Sequence, residues 1–261
     1  MKIQDYTLCE DGETNVSFQE PTVRDCFQFS DLNPKLEQKA ITDYLNHMMS
    51  EGQQQDAKTW TIFDRQTALV WIYVLSRDDK TVLQKYDCGH CGEEHSSPLD
   101  LTRLFGNLTH AERSMSEPFE LSGLKGSFVP LRGYAMEHLE QLKNERDSHP
   151  VNSKAYRLCD ADLYLYRVAH SMELDSDNQK LSHDKRADER VEVLLGMNPE
   201  PFKALIARLR EVISEMRHGL PCVIRDGEVL LTAEEHQCPN KEGASTRLML
   251  PFQVVDYMPS L

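Results

Sequence analysis

The sequence predicts an α+β protein of two related halves, 1–110 and 111–261, each with helices packed on a small antiparallel hairpin or sheet. Three observations carry that expectation. Apolar residues recur at helical spacing in both halves, most clearly over 199–218. Short alternating runs flank a tight turn, Cys88-Gly89-His90-Cys91-Gly92, which gives the first half a zinc-ribbon-like knuckle. A partial copy of that turn, Cys238-Pro239-Asn240-Lys241-Glu242-Gly243, closes the second half, with Cys238 in the place of Cys88 and Lys241 in the place of Cys91.

The first thirty residues read as extended, with Val16, Phe18, Cys26, Phe27 and Phe29 among polar neighbours and Pro21 interrupting. Asn33-Pro34 opens a helix, Asn as cap and Pro in the first turn. Leu36, Ala40, Ile41, Tyr44, Leu45 and Met48 continue it to Gly52. A second helix starts at Asp64, read as its cap, and runs through the apolar segment to Leu75; its β-branched content makes a strand the alternative. Residues 81–87 and 94–101 alternate as the two strands around the knuckle.

In the second half, 119–131 reads as a hairpin turning near Gly123–Gly126, and a helix follows around Ala135–Lys143. Asp160 or Asp162 is the expected cap of the next apolar segment, and the charged run 175–188 reads as a loop. Asn198, Pro199 and Gly219 bound the long helix, whose stripe from Phe202 to Met216 should be buried. Cys222–Leu231 reads as a hairpin with Asp226-Gly227 at its turn, and 247–252 as a last strand. The apolar end, Leu250–Met258, is expected to help bind a neighbouring protein.

Composition narrows the function classes. A net charge of −14 repels phosphate and disfavours nucleic acid as a partner. The longest apolar runs, such as 68–75, fall far short of the roughly 20 residues that span a bilayer, so no membrane role is expected. Seven irregularly spaced cysteines do not make a disulfide framework, and no apolar stretch follows Met1-Lys2-Ile3-Gln4-Asp5 as in a signal peptide. The chain reads as cytoplasmic with reduced thiols.

Cys88-x-x-Cys91 is the sharpest chemical signal. Two thiolates on one tight turn can share a tetrahedral ion, and a structural zinc needs two more ligands. His236 and Cys238, two apart at the mouth of the second hairpin, complete the expected set of Cys88, Cys91, His236 and Cys238 around one structural zinc ion. A local site using His95 is the competing arrangement, and free thiols or a redox pair are further readings. The remaining histidines, His47, His110, His138, His149, His170, His183 and His218, are scattered and read as surface or packing residues. Neither Gly-x-Ser-x-Gly nor a phosphate-binding glycine loop occurs, and no nucleophile, base and orienting group stand together, so no small-molecule substrate is evident and the chain reads as non-enzymatic.

The order of a helix, Ile62-Phe63-Asp64 leading an apolar segment, Tyr86-Asp87-Cys88-Gly-His-Cys91-Gly, Leu99-Asp100-Leu101, and a close on Leu248–Phe252 with an aromatic tail resembles the baseplate hub and hub assembly proteins of T-even-type contractile-tailed phages. The resemblance covers residues 16–105 best and is most specific at the knuckle. It implies a non-enzymatic bacteriophage tail protein that either stays in the baseplate as a virion component or acts as an assembly factor in the host cytoplasm, with other tail and baseplate proteins as partners. The alternatives are a zinc-ribbon adaptor or regulatory protein that binds nucleic acid or another protein, and an enzyme of unrecognised type.

Overall fold

A computed structural model describes residues 2–111, 115–225 and 228–259. The chain is a mixture of α-helices and small antiparallel sheets. A short pair, β1 (Tyr6–Thr7) and β2 (Asn15–Val16), comes first. Where the sequence suggested continued extension, α1 (Val23–Phe29) forms. Thr22 and Asp25 cap it reciprocally: the Asp25 carboxylate accepts the Thr22 N–H at 2.6 Å, and the Thr22 hydroxyl accepts the Asp25 N–H.

Helix α2 (Glu37–Met48) begins three residues beyond Pro34, because the Asn33 side chain closes a turn on the Lys35 N–H at 3.0 Å instead of capping the helix. The 64–75 segment is helical, not a strand: α3 (Ile62–Leu75) buries Ala68, Leu69, Val70, Ile72 and Val74. Its cap is Thr61, whose hydroxyl accepts the Asp64 N–H at 3.1 Å, which leaves the Asp64 carboxylate for other partners.

β3 (Thr81–Asp87) and β4 (Glu94–Asp100) pair in register from Thr81↔Asp100 to Asp87↔Glu94, as the alternation predicts. A 3-10 turn over Leu101–Asn107 follows. β5 (Glu117–Leu121) and β6 (Leu124–Phe128) turn at Ser122 and Gly123, both at positive φ.

Helix α4 (Gly133–Asp147) packs antiparallel to α5 (Lys154–His170). Ser153 caps α5, so Asp160 and Asp162 lie mid-helix on its exposed face. β7 (Met172–Leu174) adds to β6. Part of the run read as a loop belongs to α6 (His183–Leu195), capped by Ser182. Its buried edge carries Ala187, Val191 and Leu194 together with Arg186 and Arg190, the latter paired with Asp177.

Helix α7 (Pro199–Glu215) buries Leu205, Ile206, Leu209 and Val212, with Phe202 and Ile213 packed at the margin, so the expected stripe faces a core. β8 (Cys222–Arg225), β9 (Glu228–Gln237) and β10 (Ser245–Pro251) form a sheet in the order β10-β9-β8. The turn expected at Asp226-Gly227 lies outside the described residues.

Two buried clusters result. One gathers Phe128, Met172, Val191, Leu205 and their neighbours between residues 115 and 216. The other joins Tyr6, Phe18, Leu45 and Leu69 to Leu231, Leu248, Leu250 and Tyr257, so residues 220–258 return to pack with 6–104. The C-terminal segment is therefore part of this chain's own core. Val254, Tyr257 and Met258 are buried, and Tyr257 meets Tyr73 at 5.3 Å and stacks on Phe252 at 5.1 Å. Most of the apolar surface of Leu250–Met258, expected to help bind a neighbour, is thus covered by this chain itself, and Val255 is the large apolar side chain of the tail left exposed.

Candidate metal centre

Each hairpin ends in a knuckle. In the first, the Gly92 N–H donates to Cys88 O at 2.8 Å and the Cys88 N–H to Glu93 O at 3.0 Å, a return that needs Gly92 at φ +76°. In the second, the Cys238 N–H donates to Ala244 O at 2.7 Å and the Lys241 N–H to Cys238 O at 3.4 Å, with Gly243 at φ +74°. The strands that leave them, β4 and β10, share one burial pattern, with Ser97 and Leu99 inward in one and Leu248 and Leu250 inward in the other.

The two hairpins lie side by side. His90 Nε2 donates to Ser245 O at 2.9 Å, Asn240 Nδ2 donates to the Glu93 carboxylate at 2.6 Å, and Arg103 pairs with Glu234. This brings together Cys88, Cys91, His95 and Cys238, whose donor atoms all lie within 4.8 Å of one another and can hold a metal ion. Cys91 Sγ and His95 Nε2 are 3.1 Å apart. A tetrahedral zinc bound by sulfur and imidazole separates its ligand atoms by about 3.6–3.8 Å. Cys91 Sγ and His95 Nε2 would separate by about half an ångström to share one.

Three of the expected ligands, Cys88, Cys91 and Cys238, thus converge across the hairpins, and His236 does not join them. It still sits in the pleat of β9, opposite Thr246, and its Nδ1 lies 2.6 Å from the Ser97 hydroxyl of β4. His95 supplies the nitrogen instead. It follows Cys91 by four residues at the start of β4, leaning on Tyr86 across the hairpin at 5.8 Å. The sequence held the signal for it. That signal is its place in the compact run Cys88-x-x-Cys91-x-x-x-His95, which makes it a local candidate beside His236 without deciding between them.

The electrostatics of the cluster favour a cation. Backbone N–H groups of His90 and Cys91 point at the Cys88 sulfur; with hydrogen bonds from Cys238 and Cys91 they outweigh burial and bring its thiol down to about 6. Cys91 accepts the Glu93 N–H, yet burial and the neighbouring sulfurs of Cys238 and Cys88 leave its thiol raised. One sulfur ionises readily and the next resists, because two thiolates at this distance repel without a positive charge between them. Four protein ligands close the coordination sphere, as in structural sites; catalytic zinc keeps a position open.

Trp60 is buried in the core and Trp71 donates Nε1–H to Gln4 O at 3.0 Å, while Tyr164 is exposed. No helix among the described residues is long and apolar enough to cross a membrane. Comparisons of the chain with protein-family models, with curated proteins and with solved structures find no significant match.

Proposed function

We propose that this chain is a non-enzymatic contact protein of a contractile phage tail, either a baseplate component or a hub assembly factor, in which one structural zinc ion at Cys88, Cys91, His95 and Cys238 fixes two related hairpins as a rigid docking platform. The observation that carries the reading is the closed, four-ligand cluster between two hairpins whose outer faces remain open. Its ligands leave no coordination position for a substrate. The three-sulfur, one-nitrogen set suits zinc, a borderline-soft ion. Leu83 on β3 is 65% exposed and Met249 on β10 is 39% exposed, apolar groups on strands that a partner could cover.

The nucleic-acid adaptor reading is disfavoured by the exposed Asp87, Glu93, Glu94, Glu234 and Glu235 around the hairpins. Partners are other tail and baseplate proteins, and the place of action is the virion baseplate or the host cytoplasm during assembly. Isolation of the tagged chain from phage-infected cells, with identification of what accompanies it, tests this. Tail or baseplate proteins lost on chelation support the reading; nucleic acid alone would sink it.

A further inference from the structure

We propose a second divalent-cation site in the helical part of the molecule, formed by His138, His170 and Asp184 and independent of the cysteine cluster. Three helices each place one ligand. His138 is in the second turn of α4, His170 is the last residue of α5, and Asp184 is in the first turn of α6. Antiparallel packing of α4 on α5 brings the start of one beside the end of the other. His138 Nδ1 and His170 Nε2 then face each other at 3.0 Å, and Asp184 Oδ1 is 3.6 Å from the same Nδ1.

The three donor atoms lie within 4.8 Å of one another. Metal–ligand bonds of 2.0–2.2 Å in tetrahedral geometry put neighbouring nitrogen and oxygen donors about 3.4 Å apart, and the observed separations bracket that distance. Imidazole and carboxylate together suit zinc, cobalt or nickel.

The surroundings hold the ligands in place. One turn from each stands a second residue that packs around the cluster. Tyr134, four before His138, lies beside the His170 ring at 6.2 Å and stacks on His183 at 3.7 Å. Tyr166, four before His170, meets the His138 ring edge-on at 5.0 Å and donates its hydroxyl to Asp188 at 2.8 Å. Asp188 is four after Asp184. The rings are thus fixed by packing before any ion arrives, which is what a selective site requires. His170 is buried, whereas the Asp184 side chain is 60% exposed, so the remaining coordination position opens toward solvent and takes water. An ion there ties the first turn of α6 to the α4–α5 hairpin.

Titration of metal-free protein with Co(II) alone tests the site. Two equivalents per chain are expected, one giving the intense thiolate charge-transfer absorption of the cysteine cluster and one without it. Asp184→Asn, a change at an exposed carboxylate, should remove the second equivalent or weaken it by about 100-fold, with far-ultraviolet dichroism and the thiolate band unchanged. His138→Gln should do the same. In Cys88→Ser/Cys91→Ser protein the band disappears and one equivalent remains. Binding of a single equivalent that carries the thiolate band, or of two equivalents with unchanged affinity by Asp184→Asn, would overturn the proposal and leave His138 and His170 as an ordinary hydrogen-bonded pair; a single equivalent without the band would count against the cysteine cluster and support this site.

Discussion

The last segment of the chain is fastened to the first core at two places, by opposite chemistry. At the inner one, Asp64 of α3 is fully buried and receives the Tyr6 hydroxyl at 2.7 Å, the Cys9 N–H at 2.6 Å, the Glu10 N–H at 3.2 Å and the Thr61 hydroxyl at 3.1 Å. His218 completes it, with Nε2 at 3.2 Å from Asp64 and Nδ1 donating to Met216 O at 2.8 Å. At the outer one, three thiols and an imidazole from two hairpins face one another. The inner cluster carries its own donors for its one carboxylate. The outer cluster gathers donors that repel once ionised, with acids around it, and a cation held between them would balance it. A polar group can therefore be buried in two ways: surrounded by matched partners, or arranged around a partner that must be supplied.

Removing the inner fastening should have the largest effect on stability. Asp64→Asn is expected to cost about 3–5 kcal/mol, as when one partner of a buried pair is lost. The thermal midpoint should fall by roughly 10 °C. Burial raises the Asp64 carboxyl, but the hydrogen bond and charge of His218 and the donors Tyr6 and Cys9 more than offset it and hold it below the ordinary aspartate value. On acidification the native carboxyl therefore takes its proton later than the unfolded one. Its stabilisation is full above about pH 4 and is lost as pH falls through the depressed native value. The gap in midpoint between parent and variant should narrow over that range; a gap that grows on acidification would contradict the assignment.

The outer fastening should respond to metal and not to acid carboxylates. Cys88→Ser and Cys238→Ser should each abolish the equivalent of zinc held by the cluster, read by elemental analysis and thiolate absorption. Retention of zinc by the Cys238 variant alone would leave a local site on the first hairpin and break the bridge between hairpins. His95→Ala should weaken zinc binding by about 100-fold or more. His236→Ala, acting only through Ser97, should weaken it by about 10-fold at most. Equal effects would mean that both rings reach the ion.

Adding a thiol to the second knuckle sharpens the contrast further. In the His95→Ala background, Lys241→Cys should recover part of the lost affinity, because it restores the fourth donor that the second turn lacks. The smallest expected effect is at the open face. Leu83→Glu should change stability by no more than about 0.5 kcal/mol, since the side chain is already 65% exposed, while reducing recovery of the partner proteins.

How much was legible in the sequence follows from the range of the forces involved. The α3 segment, the stripe of α7 and the β3–β4 hairpin were readable because periodicity and turn residues act within a few positions. Helix α6 was not, since its buried edge mixes Ala187, Val191 and Leu194 with the arginines Arg186 and Arg190 and so shows no apolar stripe. The starts of α2, α3 and α5 differ from the expected ones because Asn33 closes a turn of its own, while Thr61 and Ser153 cap α3 and α5 upstream of the aspartates.

For the site, the sequence alone determined that a tight turn holds Cys88 and Cys91 and that a second turn holds only Cys238, because those geometries are local. Tertiary structure alone decided that the turns meet, that His95 faces the sulfurs while His236 faces Ser97, and that His138, His170 and Asp184 share one corner of three helices. The pairings between separate elements span from 14 positions, His170 to Asp184, up to 155, His90 to Ser245. Which side chains meet over such distances is fixed by how apolar faces pack into two cores, and by position along the strands: His95 stands beside the sulfurs, whereas His236 lies one pleat further from the knuckles, against Ser97.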